Sequence, residues 1–234
     1  MNYKVPGIIG GVGPASTLDY YNDIVNGYRE ITKDDSYPNL VIKSVDMTKM
    51  LSYLDSNDYN WLVDFLKNHI QNLKDAGAEF AAIASNTPHI IFDELKKVSP
   101  LPLVSIVEST CKYAVENNYK SVLILGTKFT MQSTLYTSAF EKYNIKAVVL
   151  NKAQIEKVHS LIFPKLEQGI VVPEDKKQMV LLANEICNEQ NIDAVVLGCT
   201  EIPIMIKQGD LVRPVLNTTE IHVHAILQRM FEYI

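Results

Sequence analysis

Two polar triplets, each placed straight after an apolar run, are where this chain could do chemistry. Ser85-Asn86-Thr87 follows Ala78-Glu-Phe-Ala-Ala-Ile-Ala84, and Cys199-Thr200-Glu201 follows Ile192-Asp-Ala-Val-Val-Leu-Gly198. A thiol at a strand end stands where a helix is about to begin, and the positive end of that helix favours the thiolate. Cys199 is therefore expected to ionise below the free-thiol value. Read alone, it could equally be core filler, because free cysteine packs as a small hydrophobe. Cys111 and Cys187 lie within stretches of helical spacing, where filler is the expected role.

An internal repeat separates Cys199 from those two. Gly7-Ile-Ile-Gly-Gly11 leads into Val12-Gly-Pro-Ala, and Val122-Leu-Ile-Leu-Gly126 leads into Thr127-Lys-Phe-Thr130. Ser85 lies 74 residues beyond Gly11, and Cys199 lies 73 beyond Gly126. Near-equal intervals with like elements at both ends predict two similar α/β halves, at a period far too long for a solenoid. In such sheets ligands sit outside the carboxyl ends of the strands. Gly11, Ser85, Gly126 and Cys199 occupy those positions. Halves that face each other would bring Ser85 and Cys199 to one ligand from opposite sides.

The elements that must hold these residues are legible as short β-rich runs at 7–10, 40–45, 79–84, 103–106, 121–125, 147–150 and 193–197. Between them the apolar spacing is helical, as in Trp61, Phe65, Leu66, Ile70 and Leu73, or Met179, Leu182, Ile186 and Cys187. Strands of this length alternating with helices predict a mostly parallel sheet covered on both faces. Gly77 closes one helix, and Pro173-Glu-Asp opens another with carboxylates in its first turn.

Other motifs are weaker. Gly11-Val-Gly13-Pro-Ala-Ser16 departs from the dinucleotide fingerprint at its last position, and no P-loop Gly-Lys-Ser/Thr occurs. What remains is either a tight strand–helix connection or a turn whose N–H groups bind a carboxylate. No histidine spacing supports a metal site, since His222 and His224 point to different sides of a helix and His69 and His159 stand alone. His89, close behind Ser85, reads as a helix-capping residue or a donor behind the site.

Composition narrows the class. The 234 residues, 47% hydrophobic and 21% charged, suffice for one large α/β domain or two small ones with a real core. The net charge of −5, with no Lys/Arg run longer than two, argues against nucleic acid as a partner. No apolar run approaches the ~20 residues of a membrane span. Residues 1–17 lack the layout of a secretory leader, and three scattered cysteines suit a reducing cytoplasm better than a disulfide scaffold.

At these residues the chain resembles the pyridoxal-phosphate-independent aspartate/glutamate racemase family, nearly end to end. Gly10-Gly-Val-Gly-Pro-Ala-Ser-Thr17 resembles its opening motif, and Gly126-Thr-Lys-Phe-Thr-Met131 and Leu161-Ile-Phe-Pro-Lys-Leu-Glu-Gln-Gly169 its second-half signatures. Gly198-Cys-Thr-Glu-Ile-Pro203 resembles its second catalytic motif, and Pro214-Val-Leu-Asn-Thr-Thr-Glu-Ile-His222 its last segment. The resemblance implies two similar Rossmann-like α/β domains related by a pseudo-two-fold axis, with the site in the cleft between them and a homodimer as the assembly. Domain one would take residues 1–106 plus 210–234, ending in a helix near 218–234, and domain two 107–209.

The resemblance also implies the reaction. Racemisation removes the Cα proton from one face and returns one to the other, so without an electron-sink cofactor it needs an acid and a base on opposite faces. Family members carry one cysteine per domain. Here Cys199 would be the competent thiol, and Ser85, a much weaker acid, stands at the first cysteine's position. Val12, Asn86, Thr87, Thr127, Thr130, Lys165 and Thr200 are the candidate substrate contacts. Aspartate-specific members use an Arg after the second strand and a Lys shortly before the equivalent of Gly169. This chain has no Arg in 46–54 and has Glu167 near the second position, which favours a broader aspartate/glutamate specificity. The expected partner is a small acidic amino acid, with no cofactor and no metal. A single-cysteine decarboxylase-like enzyme and a non-catalytic amino-acid binder of the same fold are the rival readings.

Overall fold

The structure, a computed structural model, describes residues 3–56 and 58–232, the Asp55 side chain apart. The chain forms two compact units, Met1–Ile106 with His222–Ile234, and Val107–Ile221.

The first unit begins with β1 (Pro6–Gly10), α1 (Pro14–Thr32), β2 (Val41–Ser44), α2 (Met47–Asp55) and α3 (Tyr59–Asp75). It continues through β3 (Phe80–Ile83), a 3₁₀ turn at Thr87–Ile91, α4 (Phe92–Val98) and β4 (Leu103–Val104). All four strands are parallel, in the order β2-β1-β3-β4. The central strands β1 and β3 are buried along their whole length, as a sheet covered on both faces requires. Edge strand β2 alternates between half-buried and exposed residues. α3 forms where its spacing predicts, but its buried face is Leu62, Leu66, Ile70 and Leu73, with Trp61 exposed and Phe65 half-buried at its edge. The Asp58 carboxylate caps it by accepting from the Trp61 N–H at 3.3 Å.

The chain leaves the first unit within α5 (Ile106–Glu116), and the second unit then runs through β5 (Ser121–Leu125), α6 (Lys128–Gln132), α7 (Leu135–Glu141), β6 (Lys146–Val148) and α8 (Lys152–Ile162). A 3₁₀ turn at Leu166–Gln168 leads to α9 (Pro173–Glu189), β7 (Ala194–Leu197), α10 (Ile202–Met205) and β8 (Val215–Asn217). α11 (Thr218–Met230) starts in this unit and carries the chain back to the first at His222. Residues 233–234 of the expected last helix lie outside the described residues. The order β6-β5-β7-β8, again all parallel, repeats the first sheet strand for strand. The repeat read from the two intervals is thus a repeat of topology.

All seven expected strands form, with ends shifted by at most two residues. β8 was not expected. Val215-Leu216 is a short apolar pair behind Pro214, too brief to read as a strand by itself. Alignment beside β7 makes it one, with Val196 opposite Leu216 and the Val195 N–H donating to the Pro214 carbonyl at 2.9 Å. Cys111 in α5 and Cys187 in α9 are fully buried. Burial pushes the Cys111 thiol up to about 12, with the Glu108 charge adding to the effect.

Candidate active site

In the first unit, β1 ends in a turn too tight for a side chain at its first position. Gly11 has φ +80°, and a Cβ there would lie 2.5 Å from both Ser44 Oγ and the Val45 carbonyl. Pro14 at the first position of α1 sets the helix entry, and Val12 is buried in the turn. The Gly11 N–H does not point outward to a ligand. It donates to Thr17 Oγ1 at 2.9 Å, and Thr17 Oγ1 donates in turn to the Gly13 carbonyl at 3.1 Å. Self-bonding therefore takes one of the donors that a carboxylate-binding turn would need.

Ser85, Asn86 and Thr87 follow β3 directly. The Ser85 N–H donates to the Ile83 carbonyl at 2.8 Å, and the His89 N–H to the Asn86 carbonyl at 3.0 Å, which coils the triplet into the 3₁₀ turn. Ser85 and Thr87 are half-buried and Asn86 is buried. From α1, Ser16 Oγ donates to the Ala84 carbonyl at 3.1 Å. The turns after β1 and β3 are so joined at the carboxyl ends of adjacent strands.

The second unit places its candidates at the equivalent ends. Thr127 caps α6, its Oγ1 accepting from the Thr130 N–H at 3.3 Å and lying 3.1 Å from Thr130 Oγ1. Gly198 sits in a tight place where β5 and β7 end together, since a Cβ there would meet Thr130 Cγ2 at 3.1 Å and the Leu125 carbonyl at 3.3 Å. Cys199 comes next and is buried. Its Sγ donates to Glu201 Oε2 at 3.0 Å, and Thr200 Oγ1 donates to the same oxygen at 3.0 Å. Lys165 is exposed at the start of the 3₁₀ turn that carries Glu167.

The electrostatics of Cys199 overturn the expected direction. Its thiol lies well above the ordinary value, first because it is buried and next because of the Glu201 carboxylate beside it. The N–H groups of Glu201 and Ile202 do pull downward, as a helix start should. Burial and the Glu201 carboxylate outweigh them. Cys199 thus rests as a neutral thiol bonded to a base. Glu201 is the group that reading for a reactive thiol passed over, although its place two residues after the cysteine was visible. Glu167 joins the cluster: burial raises its carboxyl, and the nearby Glu201 charge raises it further. Among the described residues, no three His, Cys, Asp or Glu side chains gather as a metal site.

Residues 9–226 match the family model for Asp/Glu/Hydantoin racemase, nearly the whole of both units. The chain belongs to the Asp/Glu/hydantoin racemase family. A solved aspartate racemase homologue from Pyrococcus horikoshii OT3 is 34% identical, with a TM-score of 0.85 over 96% of this chain and 98% of that one. The broad specificity amino-acid racemase RacX of Bacillus subtilis (strain 168) is 24% identical over 91% of this chain and 92% of its own length. Glutamate racemase 3 of Caldanaerobacter subterraneus subsp. tengcongensis is 30% identical over 61% of this chain, and the match spans about half (50%) of that protein. The two α/β units with parallel four-stranded sheets are those of a racemase-family fold, and the protein is an amino-acid racemase. No helix among the described residues is long and apolar enough to cross a membrane.

Proposed function

We propose that this racemase works without a cofactor, with Cys199 as the thiol acid/base on one face of Cα and Ser85 on the other. The observation that carries this reading is the Cys199 Sγ–Glu201 hydrogen bond at the carboxyl end of β7. A buried neutral thiol cannot take a proton from carbon. Passing its own proton to the Glu201 carboxylate creates the thiolate without changing the net charge of the pair. The thiolate then removes the Cα proton of the L isomer and becomes a thiol again, leaving a carbanion. Ser85 donates its hydroxyl proton to the opposite face, and its alkoxide regains a proton from solvent as Glu201 releases one. Forming that alkoxide is the costly step, so turnover is lopsided. Val12, Asn86, Thr87, Thr127, Thr130, Lys165 and Thr200 supply the substrate contacts. The enzyme acts in the cytoplasm as a homodimer on aspartate, glutamate or both.

One observation favours a second substrate class. Glu167 and Glu201 lie close enough for one charge to shift the other's carboxyl, and both stand in the unit that carries the thiol. Paired carboxylates repel an acidic side chain and attract a cationic one. Lysine or arginine would then be preferred over aspartate or glutamate.

The deciding experiment is loss of the Cα–H NMR signal in D₂O, without added cofactor, for both enantiomers of Asp, Glu, Lys and Arg. Exchange faster for the L isomer of any of them supports the Cys199 assignment, and the best substrate chooses between the classes. Faster exchange of the D isomer would reverse the faces. Carbon dioxide release would point to decarboxylation, and calorimetric binding without exchange to a binder.

A further inference from the structure

Behind the Ser85 turn sits a buried polar pair that the reaction scheme does not use. The His89 ring lies stacked on Phe92 at 5.1 Å with an interplanar angle of 12°. Its Nε2 accepts from the Ile106 N–H at 3.3 Å. A backbone amide can only donate, so Nε2 holds a lone pair and the proton of the neutral ring is on Nδ1. Burial, with His222 next to it, keeps the ring neutral by pushing its pKa down to about 3, and its other polar contacts are the backbones of Ser85 and Asn86. Nδ1 is buried and makes no hydrogen bond among the described residues, although the Ser85 and Asn86 backbones lie near enough to act on the ring's charge.

His222 is held in the opposite sense. Its Nε2 lies 3.1 Å from the Val104 carbonyl, which can only accept, so that nitrogen is protonated and donates. Its Nδ1 lies 2.7 Å from Tyr20 Oη and accepts the phenolic proton. The two imidazoles meet edge to face, 6.3 Å apart at 83°. Ile106 and His222 are the residues at which the chain leaves and rejoins the first unit. The pair therefore ties both crossings to the end of β4.

We propose that His89 is a positioning residue for the Ser85-Asn86-Thr87 turn: anchored at Nε2 by the Ile106 amide, it turns Nδ1–H toward the Ser85 and Asn86 carbonyls and so sets the direction of the Ser85 hydroxyl. The inference rests on the assignment of Ser85 to one reacting face. It has no part in proton transfer to substrate. The tautomers follow from the hydrogen bonds alone, whatever the substrate.

The test has two arms. Nitrogen-15 NMR of the histidine side chains in the wild-type protein at neutral pH should show His89 protonated on Nδ1 and His222 on Nε2. A His89 protonated on Nε2 overturns the proposal whether or not any amino acid is racemised. The second arm compares His89→Asn, which keeps a donor near the Nδ1 place, with His89→Gln, which keeps only an acceptor near Nε2. Both are built on Ser85→Cys, where the first face carries a strong acid/base. His89→Gln should slow D-isomer exchange by about 10- to 100-fold, the cost of a misaimed reacting group, and leave L-isomer exchange within about threefold. His89→Asn should recover most of the loss. Equal losses for both isomers, or a Gln variant as fast as its parent, would overturn the positioning role. If no amino acid exchanges at all, the reaction scheme fails separately, and backbone amide shifts of residues 85–87, moved by Gln and restored by Asn, still decide on His89.

Discussion

The turns that follow β3 and β7 hold the same place in two sheets of identical strand order, yet they are equipped for different work. The β3 turn coils into a 3₁₀ segment with a hydroxyl at its first position and a neutral histidine behind it. The β7 turn presents a thiol bonded to a carboxylate two residues on. Topology repeats because both halves satisfy the same rules of parallel sheets, short crossovers and buried apolar strands. Chemistry does not repeat, because it depends on single side chains that those rules leave free. In the proposed scheme the two faces of one carbon would therefore meet acids of very different strength.

Replacing Cys199 by Ala should have the largest effect, abolishing L-isomer exchange or lowering it by about 10²–10⁴-fold, the range of a general acid–base group. Replacing Cys111 and Cys187 by Ala should leave most of the exchange in place. Ser85→Cys should act in the other direction by making the two turns alike. D-isomer exchange should rise by a comparable factor of about 10²-fold or more, and the L/D rate ratio should fall toward unity. A folded Ser85→Cys protein without any gain would sink the two-face scheme.

Glu201→Gln separates thiol acidity from thiol use. Removing the neighbouring charge lowers the Cys199 pKa, so alkylation by iodoacetamide should reach half its maximal rate at a lower pH than in the wild type. Exchange should nevertheless slow by about tenfold or more, because the proton acceptor is gone. Parallel changes in alkylation and exchange would mean that Glu201 tunes the thiol without accepting its proton.

Two smaller effects concern the scaffold. His89 and His222 bind protons near pH 6.5 when unfolded but only near about 3 and about 4 when folded, because both are buried and, for His89, because His222 lies beside it. As pH falls below 6.5 the unfolded chain takes up those protons first, so stability is full above 6.5 and drops progressively toward pH 4. Urea unfolding midpoints across that range should show the loss, and His222→Gln should flatten it. Least of all, Asn151→Ala removes the box in which Asn151 Oδ1 accepts from the Gln154 N–H at 3.0 Å and Gln154 Oε1 from the Asn151 N–H at 2.9 Å. That should cost about 1 kcal/mol and leave the L/D ratio unchanged.

Strand runs, helix stops, the two glycine turns and the long repeat were legible in the amino-acid order. They depend on local periodicity and, at the Gly11 turn, on the φ freedom of glycine, which neighbours in sequence already express. Ser85 and Cys199 were legible as equivalent positions for the same reason. The protonation of Cys199 was not, since helix-start dipoles are visible in sequence order while burial and the aim of the Glu201 carboxylate exist only after folding. β8 likewise became a strand only through the ladder that β7 offers it. His89 shows the same division. Its closeness to Ser85 was plain from the numbering. Its tautomer was decided by an amide 17 residues away that tertiary packing brings to Nε2, because a histidine's proton goes wherever its hydrogen-bond partners leave room for it.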